Sequence, residues 1–144
     1  MSSSNVGDSG LIYWKRGESV QLSEHFKAKE FECPCGKCVD QQISRNLISK
    51  LEHVRHDFNE PISVNSGYRC PEHNAAVGGH SSSTHLQGLA ADIRPKFLTT
   101  DSLDQLYDLC YSEFDNIGNG RNRGFIHVDD RPAKPTGKRL WLYA

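Results

Sequence analysis

Three residues in the second half of the chain, His85, Asp92 and His127, are of the types that a catalytic zinc ion accepts as ligands while its fourth position stays open to water. They lie in two stretches, SVNSGYRCPEHNAAVGGHSSSTHLQGLAAD from Ser63 to Asp92 and GFIHVDD from Gly124 to Asp130. Gly88 stands between His85 and Asp92, so a turn after the histidine and a strand entering the aspartate would bring both side chains to one point. Asp92 is the one charged member of an apolar run from Leu89 to Ile93, and a buried carboxylate needs a partner such as a metal ion. His127 must then come from an adjacent strand. A single histidine would more often be an ordinary polar residue; the joint pattern carries the reading.

Other residue types nearby suit the same chemistry. Arg69 carries a guanidinium that forks two donors onto a carboxylate and can also stabilise an oxyanion. Asp129 lies two residues past His127, on the same face of a strand, where it would either take a proton as general base or orient the histidine from behind. Asp130, Asp115 and Glu72 stay open as alternative bases, and His73 and His80 lie close to the site in sequence.

A second cluster is built from sulfur. Five cysteines stand at 33, 35, 38, 70 and 110. Cys33, Cys35 and Cys38, joined by Cys70, would close a structural zinc site with four thiolates, with free thiols or a disulfide as the plainer readings. Cys110 falls on the inner stripe of a helix and reads as core.

The elements that must position these groups can be read from periodicity. Ile43, Leu47, Ile48, Leu51, Val54 and Phe58 recur at helical spacing from Gln42 to Phe58, and Asn59-Glu60-Pro61 ends that helix. A strand is predicted at Ile62–Ser66, one or two helical turns at Cys70–Val77, and a buried strand at Leu89–Ile93. Thr99-Thr100-Asp101 offers caps for a second amphipathic helix to about Phe114, with Leu103, Leu106, Tyr107 and Cys110 on its inner stripe. Gly118, Gly120 and Gly124 bracket a long turn before a strand at Phe125–Val128, and Arg139–Tyr143 forms a last strand. Leu11 to Leu22 reads as edge strands or an extended wrap, while Phe26, Phe31, Phe58 and Trp141 read as packing residues. The order predicts an α+β fold, a small single domain with a central antiparallel sheet flanked by helices, spanning 11–144 behind a flexible tail at 1–10.

Seventeen basic and eighteen acidic residues leave a net charge of -1, which gives no field for nucleic acid or an anionic membrane. No stretch approaches the roughly 18 apolar residues of a membrane span. The opening MSSSNVGDSG is polar and the run Leu11–Trp14 is short for a signal-peptide core, so none is expected here. A monomer that stays in the cytoplasm until it is released is the expectation.

Gly67-Tyr68-Arg69, Asn74 with Gly78-Gly79, Ser83-Thr84-His85-Leu86-Gln87-Gly88-Leu89-Ala90-Ala91-Asp92 and His127-Val128-Asp129 together resemble the motifs of zinc D-alanyl-D-alanine carboxypeptidases. The likeness is to the short branch found in bacteria and in phage lysis or tail proteins. The wider group takes in the D-Ala-D-Ala dipeptidases of vancomycin resistance and, by shape, the amino-terminal domain of hedgehog. The resemblance spans roughly residues 23 to 131. It implies His85, Asp92 and His127 as zinc ligands, Arg69 and Ser83 as substrate-binding residues, and a peptidoglycan stem peptide as substrate, cleaved at D-Ala-D-Ala or at L-Ala-D-Glu. One departure stands out: the group tends to place a Glu or Asp a few residues before the last histidine ligand, where this chain has Asn122, Arg123 and Gly124. That leaves the base open, and with it the alternative of a zinc-holding module without catalysis, for wall recognition or structure.

Overall fold

The computed structural model describes residues 10–143, so the tail expected at 1–10 falls almost wholly outside the described residues. Strand β1 (Leu11–Lys15) pairs antiparallel with β2 (Asp40–Ser44), Leu11 opposite Ser44 and Lys15 opposite Asp40. Between them the chain wraps through a single turn of 3-10 helix at Ala28–Phe31, burying Phe26 and Phe31 edge to face at 5.9 Å. Helix α1 (Arg45–Phe58) buries Leu47, Ile48, Leu51, Val54 and Phe58, the stripe that its periodicity predicts. It begins later than Gln42 because residues 40–44 are committed to pairing with β1. Ser44 caps it by accepting the amide of Leu47 at 3.1 Å, and Asn59 ends it in the left-handed conformation at φ 56°.

The main sheet has the order β3 (Ile62–Ser66), β4 (Ala90–Pro95), β6 (Phe125–Asp129), β5 (Asn116–Gly120), β7 (Arg139–Leu142). Every pair is antiparallel except β5 with β7, so the central sheet is antiparallel in the main, as expected, with one parallel strand at its edge. The chain reverses after β6, passes over the position of β5, and meets the free edge of β5 running in the same direction. Helix α2 (Pro71–Ala76) follows β3, and helix α3 (Thr100–Glu113), capped by Thr99, packs with α1 on one face of the sheet. On that face Ala91, Ile93, Ile117, Ile126 and Val128 join Leu103, Leu106, Cys110 and the α1 stripe in one core. Each fully buried Val, Leu or Ile side chain there contributes about 1.5–3 kcal/mol.

Gly118 and Gly120 lie inside β5 and do not form the long turn that their spacing suggests. Aromatic rings stand where their side chains would be: a Cβ on Gly118 would come within 2.6 Å of Tyr143 and 2.7 Å of Trp141, and one on Gly120 within 2.5 Å of Phe125. The turn is confined to Arg121–Arg123, closed by Gly124 at φ 81°.

Glu52, on α1, ties down the loop that carries Phe26. Its carboxylate accepts the Ser23 hydroxyl at 2.6 Å and the His25 amide at 2.9 Å. Burial pushes the Glu52 carboxyl up, but these donors hold it below its ordinary value of 4.5. Its contribution is therefore complete above the unfolded value and is lost as pH falls through the lower folded one. E52Q should lose about 1 kcal/mol at neutral pH, with the gap closing in acid. Urea unfolding at pH 7 and pH 3 checks this, and a gap that does not change with pH would refute it.

Candidate metal centre and active-site cleft

The face of the sheet away from α1 and α3 carries the chemistry. Strand register places Ser66 opposite Asp92, Asp92 opposite His127, His127 opposite Gly118, and Gly118 opposite Trp141, so one row crosses five strands. Period-2 alternation does the sorting: Ile126 and Val128 go to the core, His127 and Asp129 to the opposite face. His85 is delivered from outside the sheet by one turn of 3-10 helix, Thr84–Gln87. The Ser83 hydroxyl accepts the His85 amide at 3.2 Å, and Gly88 ends the turn at φ 74°.

Three ligand atoms converge. His85, Asp92 and His127 each offer one atom within 4.8 Å of the others. His85 Nε2 lies 3.3 Å, and His127 Nδ1 2.9 Å, from Asp92 Oδ1, while the two rings meet edge to face at 5.2 Å. Each ring is held by its other nitrogen. His85 Nδ1 donates to the carbonyl oxygen of Gly67 at 2.7 Å, since a carbonyl can only accept, and so Nε2 is the ring nitrogen that faces the cluster. His127 Nε2 donates to Asp129 Oδ2 at 3.0 Å, which turns Nδ1 inward.

The electrostatics follow from this packing. Burial pushes the Asp92 carboxyl up, but hydrogen bonds from His127 and His85 hold it well below the usual carboxylate range. Burial disfavours the charged imidazole of His127, yet Asp129 and Asp92 on its two nitrogens raise it above its ordinary value. Two imidazoles oriented by a carbonyl and a carboxylate, converging on an ionised aspartate, fit a divalent cation of the zinc type.

The cluster forms the floor of a cavity of about 610 Å³. Arg69 lies along its side, with Nε donating to Ser66 Oγ at 3.1 Å, Nη1 to Asn74 Oδ1 at 2.9 Å, and Nη2 3.7 Å from Asp92 Oδ2. Gly79 has to be glycine here, since a Cβ would stand 2.1 Å from Asn74 Oδ1 and 2.8 Å from Arg69 Nη1. Ser83 also lines the cavity. His80 does so too, its Nδ1 accepting the Ser82 amide at 3.1 Å.

Asp129 stands behind His127 and outside the cavity. It is 1% exposed and receives Arg131 through Nε on Oδ1 and Nη2 on Oδ2, each at 3.0 Å. Burial raises its carboxyl, and His127 and Arg131 lower it to a net value below the usual one. The alternative bases lie elsewhere. Asp130 receives Ser44 and Asn46 at the start of α1, Asp115 pairs with Lys138, and Glu72 faces the cysteine cluster. Asp92 is the one carboxylate among the described residues lining the cavity.

Trp141 is a cavity wall and not only the packing residue that its composition suggests: its ring centroid lies 5.2 Å from that of His127. Tyr143 stands beside it with its phenol pushed up by burial, and sequence reasoning missed it altogether. The signal was the i, i+2 alternation Trp141-x-Tyr143, which puts both rings on one face of an extended segment.

Cys33, Cys35, Cys38 and Cys70 come together as a second group. Burial pushes the Cys33 thiol up to about 12, while the backbone amides of Cys38 and Lys37 bring Cys35 down to about 6. Cys110 is fully buried in the core, as its helical position predicts.

Fold and site together define a small α+β protein with a candidate His-Asp-His metal centre in an open cleft. The chain belongs to the peptidase M15 family, whose model matches residues 24–129. It is also similar to the zinc D-Ala-D-Ala carboxypeptidase of Streptomyces albus G, at 47% identity over 45 residues. That match covers 31% of this chain and 18% of the relative, so the chain corresponds to less than a fifth of that protein. No helix among the described residues is long and apolar enough to cross a membrane.

Proposed function

We propose that this protein is a zinc-dependent peptidase acting on the stem peptides of bacterial peptidoglycan, at the D-Ala-D-Ala or the L-Ala-D-Glu bond. The observation that carries the reading is the convergence of three ligand atoms within 4.8 Å on the floor of a cleft, in a chain of the M15 family. His85 through Nε2, Asp92 through Oδ1 and His127 through Nδ1 would hold the ion. When bound, zinc supplies a Lewis acid that polarises a carbonyl and lowers the pKa of water.

The remaining roles belong to the chain. Arg69, immobilised by Ser66 and Asn74, meets a carboxylate or developing oxyanion of the peptide with the edge of its guanidinium that faces Asp92. Ser83 holds His85 in place and presents its hydroxyl to the peptide. Trp141 and Tyr143 form an apolar wall, with the Tyr143 phenol kept protonated as a hydrogen-bond donor. His80 accepts from Ser82 on Nδ1, so its neutral ring donates from Nε2. Asp129 is a positioning residue that fixes the His127 ring. A bacteriophage lysis or tail enzyme is the setting in which such an activity would be used, by the likeness of its motifs.

A second reading is favoured by one observation. Asp92, itself in the ligand set, is the one carboxylate among the described residues lining the cavity. A zinc-holding wall-recognition module without turnover would have that feature. Purified protein incubated with muropeptides decides: release of new amino groups, abolished by a chelator and restored by zinc, is the expected result. Full zinc occupancy with no release, but with retention on isolated cell walls, would replace the leading reading by the second.

A further inference from the structure

We infer that Cys33, Cys35, Cys38 and Cys70 form a second, closed zinc site that fixes the segment aiming Arg69 into the cleft. Three of the six sulfur pairs already stand at the spacing of a tetrahedral site. A zinc–thiolate bond of about 2.3 Å places ligand sulfurs about 3.8 Å apart. Here Cys33 and Cys70 lie 3.7 Å apart, Cys35 and Cys38 3.5 Å, and Cys70 and Cys35 3.9 Å, with all four within 4.8 Å of one another. A disulfide would instead bring one pair to about 2.05 Å.

The surroundings offer a donor to each sulfur. Every sulfur receives an N–H donor: Cys33 from the amide of Cys70 at 3.4 Å, Cys35 from the amides of Lys37 and Cys38 at 3.3 Å each, and Cys70 from the amide of His73 at 3.5 Å. Cys38 receives Gln41 Nε2 at 3.2 Å and Arg16 Nη2 at 3.4 Å. Four thiolates around a dication leave net negative charge, and the Arg16 guanidinium stands against it, anchored on the carbonyls of Cys33 and Cys38 at 2.6 and 2.7 Å. Each thiol gives up its proton on binding, and four protein ligands leave no position for substrate or water, so the site is structural.

The location gives the ion its task. Cys70 caps α2, follows Arg69 directly, and precedes Asn74, which orients the Arg69 guanidinium. The Cys33–Cys38 loop belongs to the layer that begins with β1 and the buried Phe31. An ion here joins that layer to the arm carrying Arg69, as a covalent clip would.

The test counts metal by ligand type and does not depend on peptidase activity. Protein purified under reducing conditions with zinc should carry two ions by native mass spectrometry, and D92N should keep one. Cobalt substitution should give the intense near-ultraviolet thiolate-to-metal band in wild type and D92N alike. C35S should lose that band and one ion, with a fall in melting temperature of about 10 °C. If C35S does not fold, the cobalt spectrum of the intact chain still decides. A spectrum without sulfur charge transfer, four thiols that react freely in zinc-loaded protein, or a mass showing disulfides in their place would overturn the site.

Discussion

D92N should abolish peptide hydrolysis and remove zinc from the cleft together, while the protein remains folded. The substitution keeps the shape of the side chain and deletes the charge on which two imidazoles converge, at 3.3 and 2.9 Å. The lost Lewis acid accounts for several kcal/mol of transition-state stabilisation, so turnover should fall by about three powers of ten or more. D129N gives the informative contrast. Asp129 touches His127 Nε2 and the Arg131 guanidinium and does not line the cavity, so its loss should weaken zinc affinity by about 10- to 100-fold and leave the turnover of zinc-saturated protein largely intact. Metal titration followed by assay at saturating zinc separates the two. A D129N protein that holds zinc fully and does not turn over would make Asp129 the general base after all.

R69K should lower kcat/KM on a stem peptide by about 10²- to 10³-fold with zinc content unchanged. Charge is conserved in this substitution; geometry is not. The guanidinium uses Nε on Ser66 and Nη1 on Asn74 to fix its plane, and only then is its remaining edge held beside Asp92 Oδ2. A lysine ammonium cannot make both anchoring bonds and still present a fork to a carboxylate. R69A should be no worse than R69K by more than a few-fold if positioning is the main loss. Wild-type kinetics in R69K, measured with metal content confirmed, would remove Arg69 from substrate binding.

Much of this was legible in the chain because single residues carry strong local signals. The α1 stripe predicts its helix, the caps offered by Thr99-Thr100-Asp101 predict the start of α3, and the lone carboxylate in Leu89–Ile93 predicts a partner. The histidines and Asp92 could be grouped because few arrangements satisfy all three at once. Register and direction were not legible. Nothing in Arg139–Tyr143 says that it runs parallel to β5, and so nothing says that Trp141 reaches the row containing His127. The glycines of β5 misled for a related reason: glycine signals a turn when read alone, and only the rings lying over 118 and 120 show that room is the requirement. Asp129 shares a strand face with His127, as period 2 demands, and Arg131 two residues on holds it locally, but that this carboxylate stands outside the cleft is a tertiary fact.

The missing side chain at Gly118 has a consequence for how the cleft can change. With no methyl to hold it off, the indole of Trp141 settles next to the sheet beside His127, so this bank of the cleft is gauged by inter-strand spacing and behaves as an anvil. The opposite bank, Val77 to Ser83, is a glycine-bearing loop and forms the jaw. Adaptation to a different peptide therefore has one side on which to work: the exposed positions Val77, Ser81 and Ser82 can be changed without disturbing the ladder, while Gly79 stays bound to the room Asn74 and Arg69 need and Ser83 to the His85 turn, and any enlargement at 118 would displace the anvil and the imidazole it leans on.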